Sequence, residues 1–472
     1  MTYKKKEFLN IDNQTIIALC TPSGNGAIAM LRLCGDDAVE IVDKISLLYS
    51  KKKLSVFPTH TIHYGRIVSI QSKKEIIDEV LFFLMKAPKT FTGQHTVEIS
   101  CHNNQYIIEQ IIKQAIVAGA RIAHPGEFTK RAFLNNKIDL IQAESINDLI
   151  NAQTELALRK SMSQLQGSLS RHIEQIQQDL FGLLSIIEGG LEFFEEEQQD
   201  FEIDKIIRKK LNLIIQKLKN IKSNFSQQQQ IKEGIKIAVI GWVNAGKSTL
   251  FNSILKKNRA IVTDIEGTTR DSIECSLYKN GNFWLLTDTA GLRQTKDLVE
   301  QEGIDRSFEQ AEVSDIILLT FDLSKKLNCK QIEIYRNLIN KYKNKIIFVG
   351  NKLDVENDQF LLLDFINKDQ FLKISALHKK GIELLENEIE NKIQNIFSKH
   401  QSSYLLNKRQ YNLILQVENQ MKFIEKLIKN KIEYELMAYY LREIIERFSE
   451  LTGRNINEKM LDRIFNDFCI GK

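Results

Sequence analysis

The stretch KIAVIGWVNAGKS, residues 236–248, decides how the rest of the chain is read. Ile237, Ala238, Val239 and Ile240 form a short apolar run ending at Gly241. Gly241, Gly246, Lys247 and Ser248 then follow the spacing G-x-x-x-x-G-K-S. A buried strand that delivers such a loop into a helix is the setting a phosphate-binding loop needs. The glycines let backbone N–H groups turn toward a phosphate chain, and the N-terminus of the next helix adds partial positive charge. Lys247 would reach the outer phosphates and Ser248 would hold a magnesium ion. Asn244, Ala245 and Thr249 complete the expected nucleotide contacts.

Further motifs follow in order. Gly267-Thr268-Thr269-Arg270-Asp271 lies at the distance of a switch loop, with Thr269 as a second magnesium ligand. WLLTDTAG (284–291) reads as a strand ending at Asp288, with Gly291 next to the γ-phosphate position and Thr289 and Ala290 as further nucleotide-binding residues. IIFVGNKLD (346–354) is another strand, ending in Asn351-Lys352-x-Asp354, and KISAL (373–377) brings Ser375 and Ala376. Asp354 can accept from N1–H and the 2-amino group of guanine, contacts that adenine cannot return, so discrimination is strong. One such tetrapeptide means little, but five motifs in this order at strand ends imply guanine-nucleotide binding. The water-orienting glutamine that many GTPases place after D-x-x-G is here Leu292, which cannot hydrogen-bond. A carboxylate must come from elsewhere. Asp297, Glu300 and Glu302 are candidates, although sequence alone favours reading any one of them as part of a solvated helix face.

At 472 residues the chain is too long for one core, and roughly two to four domains are expected. With 43% hydrophobic and 26% charged residues it reads as soluble and globular. Sixty-five basic against 60 acidic residues, a net +5, permit RNA contact without the dense basic face of a dedicated nucleic-acid domain. The runs Lys4–Lys6 and Lys51–Lys53 read as solvated loops. Six scattered cysteines (20, 34, 101, 275, 329 and 469) show no C-x-x-C pair or zinc spacing, which fits a reducing compartment. No apolar run approaches a membrane span and no signal-like segment opens the chain, so a cytoplasmic location is expected.

All four prolines (Pro22, Pro58, Pro88 and Pro125) fall in the first 125 residues. Strands are expected at 15–19, 27–33, 79–84 and 96–101 and a helix at 105–118, giving an α+β module over 1–125. From 126 to 230 the pattern is helical. Leu165, Leu169, Ile173, Ile176, Leu180, Leu183 and Ile187 form an apolar stripe read as unbroken. Another helix is expected over about 203–223, and Ser226 with Gln227–Gln230 reads as a linker. The nucleotide domain takes 234–397. In 398–472, Val417, Met421, Ile424 and Ile428, then Met437, Leu441, Ile444 and Phe448, repeat the helical spacing. A helix pair cannot bury such stripes alone, so the helices on either side of the nucleotide domain are expected to pack together, with that domain inserted between them.

Several stretches carry a more specific resemblance. TIIALCTPSGNGAIAMLRLCG (15–35), FTGQHTVEISCH (91–102), GEFTKRAFLNNKIDL (126–140) and the terminal Phe468-Cys469-Ile470-Gly471-Lys472 resemble the MnmE (TrmE) family of tRNA-modification GTPases, in order and over essentially the whole chain. The resemblance implies an N-terminal α+β folate-binding and dimerisation domain, a discontinuous α-helical domain and an inserted α/β P-loop GTPase domain. It further implies a homodimer that works with the flavoprotein MnmG, which alone carries FAD. Together they would place an aminomethyl or carboxymethylaminomethyl group on C5 of the wobble uridine of certain tRNAs, with 5-formyl- or 5,10-methylene-tetrahydrofolate as the one-carbon source. Potassium would stimulate GTP hydrolysis through Asn244, the carbonyls of Thr263 and Ile265, and Thr268, with Asp264, Glu266 and Gly267 in the same nucleotide-contacting segment. Ser248 and Thr269 match the magnesium ligands, and Glu300 matches the catalytic glutamate. Arg32, Glu98, Lys137 and Lys472 match the folate site, and Cys469 the C-terminal cysteine near the modification chemistry. Departures are Trp242 and Val243 in the phosphate loop, Asn103-Asn104 in place of two glycines, and Asn136 in place of another.

The switch segment is shared by a rival class, ribosome-assembly GTPases that act as binding switches. Those carry an RNA-binding module where this chain has a folate-like domain and C-I-G-K. A second rival, a dynamin-like membrane GTPase, is not expected, because the sequence reads without a basic amphipathic or spanning segment.

Overall fold

The computed structural model describes residues 14–22, 24–72, 75–193, 197–222, 225, 231–232, 234–257, 273–288, 307–356, 366, 370–397, 404–429 and 434–472. They form two compact units: 1–147 with 164–220 and 408–472, and 148–163 with 221–407.

The first unit opens with a seven-stranded sheet of order β3-β4-β5-β6-β2-β1-β7. Its strands are β1 (Ile16–Leu19), β2 (Ile28–Cys34), β3 (Ser46–Leu48), β4 (Thr61–Val68), β5 (Ile76–Met85), β6 (Thr96–His102) and β7 (Arg121–Ile122). Helices α1 (Ala38–Ile45) and α2 (Gln105–Val117) contribute Val42, Ile45, Ile108 and Ile111 to the core that covers one sheet face. Alternation sends Leu31, Leu33, Phe82, Val97 and Ile99 inward, as period-two patterning requires. Asn103 and Asn104 need no glycine-like backbone. Asn104 caps α2 by accepting from the N–H groups of Tyr106 and Ile107, and the Asn103 amide donates to the Gly24 carbonyl at 2.7 Å. Asn136, by contrast, does take the left-handed conformation, with φ 56°.

Helices α3 (Glu127–Leu134), α4 (Leu140–Ile150), α5 (Glu155–Leu165), α6 (Ser168–Phe193) and α7 (Glu197–Lys222) follow. The stripe expected to run unbroken from Leu165 is interrupted, because Gly167, with φ 86°, ends α5 before α6 begins. Glycine reaches that conformation without the Cβ clash that would otherwise disfavour it. Leu169, Ile173, Ile176, Leu180, Leu183 and Ile187 of α6 are all buried, each stabilising the fold by about 1.5–3 kcal/mol relative to exposure. Their partner comes from the end of the chain, in α12 (Tyr434–Thr452), which also packs against α11 (Lys408–Lys429), while α13 (Glu458–Asn466) packs against α3. Gln177 of α6 donates to Ser449 of α12 at 2.7 Å, 272 residues away, and Glu188 of α6 pairs with Arg442. Arg409 of α11 grips Glu144 of α4 with two nitrogens, at 2.6 and 2.8 Å.

The second unit contains a six-stranded sheet of order β13-β12-β11-β8-β10-β9. These are β8 (Ile235–Gly241), β9 (Ile273–Lys279), β10 (Asn282–Asp288), β11 (Ile316–Asp322), β12 (Ile346–Asn351) and β13 (Phe371–Lys373), parallel except for β9. Their apolar runs are buried because α8 (Lys247–Lys257), α9 (Cys329–Tyr342) and α10 (Ile382–Phe397) supply cores on both faces. Residues 148–163, expected within the helical part, belong instead to this unit. The Thr154 hydroxyl donates to the Ile231 carbonyl, Phe283 N–H to the Gln153 carbonyl, and Lys232 pairs with Asp148.

Candidate functional site

Strand β8 lies centrally in its sheet, between β10 and β11, and its C-terminal end opens into residues 242–246 before α8. Gly241 cannot carry a side chain, since a Cβ there would lie 2.4 Å from the Thr320 carbonyl of β11. Asn244 is left-handed, with φ 63°, and Gly246 follows with φ 86°. Ala245 N–H donates to the Trp242 carbonyl at 3.2 Å, and Lys247 Nζ reaches that carbonyl at 3.0 Å. A nucleotide would therefore find the lysine inside the loop it must serve.

The loop is tied to the sheet by two side chains outside the motif. The Tyr335 hydroxyl of α9 accepts from Trp242 N–H at 3.0 Å and donates to the Thr320 carbonyl at 3.2 Å. Burial pushes that hydroxyl up to about 12, so it remains a donor throughout the physiological range. Asn351, at the end of β12, donates from Nδ2 to the Ala245 carbonyl at 2.9 Å and accepts at Oδ1 from Ala376 N–H at 3.0 Å. One buried amide thus fastens the phosphate loop to the Ser375-Ala376 segment. A Cβ on Gly246 would lie 2.3 Å from the Asn351 amide nitrogen, so glycine is required for space as well as conformation.

The base-reading edge adjoins this amide. Lys352 is left-handed, with φ 68°, and its Nζ meets Asp322 at 2.6 Å. Burial would raise the Asp322 carboxyl, but the Lys352 ammonium, with the Ser324 hydroxyl and N–H, holds it below the ordinary value. The Ser375 hydroxyl donates to Asp354, and this bond is the main reason that the Asp354 carboxyl is lowered. Asp354 is therefore ionised and aimed by Ser375, as an acceptor for two guanine donors must be. Asp288 ends β10 beside Val239 of β8. Thr263, Asp264, Ile265, Glu266, Gly267, Thr268, Thr269, Thr289, Ala290, Gly291, Leu292, Asp297, Glu300 and Glu302 lie outside the described residues.

In the first unit a second cluster forms around the chain's last residues. Arg32 Nε donates to Glu98 at 2.7 Å across β2 and β6, and Arg32 also reaches the Gly471 carbonyl at 3.4 Å. The Cys20 thiol donates to that same carbonyl at 3.3 Å. Gly126 and Phe128 N–H groups donate to the carbonyls of Cys469 and Lys472. Burial lowers the Lys472 ammonium below its usual value and raises the Cys20 thiol above its own. Arg32, Glu98 and Lys472 are thus brought together. Lys137 is not among them: its Nζ donates to the Pro88 carbonyl at 2.6 Å. Cys469 is exposed and free. A cavity of about 380 Å³ between α3 and α13 is lined by groups that pair with each other, Lys130 with Asp462 and Arg121 with Glu127.

Sequence reasoning missed Tyr335, Cys20 and the bridging role of Asn351. Only Asn351 left a signal, as the first residue of its tetrapeptide. Among the described residues no group of three His, Cys, Asp or Glu side chains is placed to hold a metal, and no helix is long and apolar enough to cross a membrane.

A glycine loop between a central parallel strand and a helix, with an aspartate edge aimed at guanine, defines a P-loop GTPase. Family models match twice: the GTP-binding protein TrmE N-terminus over residues 15–137, and the MnmE helical domain over 140–469. The chain is 36% identical over 475 residues to a tRNA modification GTPase MnmE of Christiangramia forsetii, covering 98% of this chain and 99% of that protein. It is 37% identical to that of Flavobacterium johnsoniae, covering 98% and 100%, and 37% identical to that of Thermoanaerobacter pseudethanolicus, covering 97% and 99%. The chain belongs to the MnmE family of tRNA modification GTPases.

Proposed function

We propose that the chain is a potassium-stimulated GTPase. With a flavoprotein partner of the MnmG type, its hydrolysis cycle drives addition of an aminomethyl or carboxymethylaminomethyl group to C5 of the wobble uridine. The observation that carries this reading is the near-full-length match to tRNA modification GTPases, joined to a phosphate loop with Asn244 turned at φ 63°. Amide, hydroxyl and carbonyl oxygens suit hard cations. Asn244, Thr268 and the carbonyls of Thr263 and Ile265 would hold potassium, and Ser248 and Thr269 magnesium. Bound there, the cations would neutralise charge developing between the phosphates. Lys247 would bind the outer phosphates, Asp354 and Ser375 would select guanine, and Glu300 would orient the attacking water.

A tetrahydrofolate would be held by Arg32, Glu98 and Lys472. A carboxylate suits the amide-like edge of a pteridine, and basic groups suit its glutamate tail. The Arg32–Glu98 pair, with side chains 25% and 20% exposed, fits such a ligand because both remain reachable. Lys137 and Cys469 belong to this reading on family resemblance alone. A homodimer fits the outer face of the sheet. There Ile62, Tyr64 and Leu81 are 61%, 50% and 40% exposed, more apolar surface than a lone domain needs to show.

Two measurements test the reading. Steady-state hydrolysis should be faster in potassium than in sodium, and equal rates would remove the potassium argument. Mass spectrometry of tRNA from cells lacking the protein should show unmodified wobble uridines, and unchanged modification would sink the assignment. That second result would leave the alternative, a ribosome-assembly switch without modifying activity.

A further inference from the structure

Contrary to the expectation that the chain has no basic amphipathic segment, helix α7 buries one apolar stripe and carries charge of one sign along its C-terminal two thirds. Between residues 205 and 222 it has Lys205, Arg208, Lys209, Lys210, Lys217, Lys219 and Lys222 and no acidic residue. Two of these serve the fold. Arg208 donates to the Ile428 carbonyl at 3.1 Å, and Lys217 pairs with Asp179 of α6 at 2.7 Å. Lys205, Lys209, Lys210 and Lys219 are exposed and have no ion-pair partner among the described residues.

Spacing gathers Lys205, Lys209 and Lys219 on one side, and Lys210 lies off that face. Lys205, Lys209, Asn212, Gln216 and Lys219 step by 4, 3, 4 and 3, so they share a helix face, and all five are exposed. Ile207, Leu211, Ile214 and Leu218 form the buried stripe. That stripe explains why the helix packs, but not why the line from Lys205 to Lys219 holds only cations and amides, beside the exposed Ile206 and Leu213. A face that is merely solvated normally mixes both signs. With a rise of 1.5 Å per residue, Lys205 to Lys219 spans about 21 Å. A rod of separated ammonium groups with amides between them matches a sugar–phosphate backbone, which is held by lysines and by amide donors.

We propose that this face of α7 docks the phosphate backbone of tRNA. The proposal rests on the tRNA-modifying reading above and adds the place where the RNA is held. The lysines supply affinity and position, not sequence choice.

Filter retention of bulk tRNA by the full chain, over a salt series, tests the proposal. A variant with Lys205→Gln, Lys209→Gln and Lys219→Gln should bind at least about tenfold more weakly near 0.1 M salt, with the slope of log affinity on log salt reduced by about two to three. A companion variant, Lys51→Gln, Lys52→Gln and Lys53→Gln, loses the same charge from an exposed loop and should keep the wild-type slope. Both should keep wild-type helix content and RNA-free GTP hydrolysis. Unchanged affinity and slope in the α7 variant, or equal losses in both variants, would overturn the docking face. So would unchanged tRNA binding with lost binding to vesicles of anionic phospholipid, which would make the face a membrane contact. Wobble-uridine analysis of cells lacking the protein separates the two levels. Unmodified uridines together with an unaffected α7 variant sink only the docking face, whereas intact modification sinks the enzyme reading beneath it.

Discussion

The nucleotide loop and the C-terminal cluster are built in opposite ways. The loop draws on residues 241–248, 320, 335, 351, 352, 354, 375 and 376, and most of its parts lie in short motifs at strand ends. The C-terminal cluster joins Cys20 and Arg32 to Gly471 across 451 and 439 residues, and only the family resemblance, not the chemistry of a local motif, announces it. Yet each depends on a left-handed glycine in a space that no side chain can enter, Gly246 in one and Gly471 in the other. The difference teaches that contiguity in sequence governs how readable a site is, and has no bearing on how tightly it is assembled.

Substitutions that act on one site and spare the other test this contrast. Gly246→Ala should have the largest effect. The left-handed backbone and the collision with Asn351 together cost about 3 kcal/mol, or roughly 100-fold in GTP affinity by titration with a fluorescent nucleotide. Asn351→Ala keeps the backbone but leaves the Ala376 N–H without its partner, and should weaken binding by about 2 kcal/mol, some 30-fold in the same titration. Gly471→Ala, at φ 92° and with its Cβ 2.4 Å from the Leu19 carbonyl, should lower affinity for 5-formyl-tetrahydrofolate about tenfold by calorimetry while GTP affinity stays unchanged. A loss of GTP affinity in that variant would show that the two sites are not independent.

The smallest effect is expected at Asp322. Its carboxyl is held below the ordinary value, so the Lys352 pairing is present in full above that ordinary value. It is lost only as pH falls through the lowered one. Asp322→Asn should reduce stability by no more than about 1 kcal/mol, the usual scale for a partly exposed pair. The gap between variant and wild type in urea midpoint should stay constant from neutral pH down to about pH 5, and close only in stronger acid.

Much of the fold was readable because burial leaves period-two and period-3.6 patterns. The stripes of α6, α11 and α12 are buried at the named positions. The break at Gly167 was not read, because a stripe is counted from apolar residues and the glycine that ends a helix falls between them. The transfer of residues 148–163 to the nucleotide unit was hidden for a different reason. Backbone hydrogen bonds such as Phe283 N–H to Gln153 O carry no side-chain signature. Within the site, Gly246, Lys247 and Asp354 could be named from spacing, since phosphate and guanine chemistry fix residue type. Tyr335 could not, because any buried tyrosine in an amphipathic helix looks like core.

Trp242 has a practical consequence. The chain has two tryptophans. Trp284 is fully buried in β10, whereas Trp242 lies in the phosphate loop, its N–H on Tyr335 and its carbonyl on Lys247. Nucleotide entry must draw Lys247 away from that carbonyl, so the indole stands where the electric field changes. Intrinsic fluorescence should therefore follow loading and release in the unlabelled protein, against the steady background of the second indole.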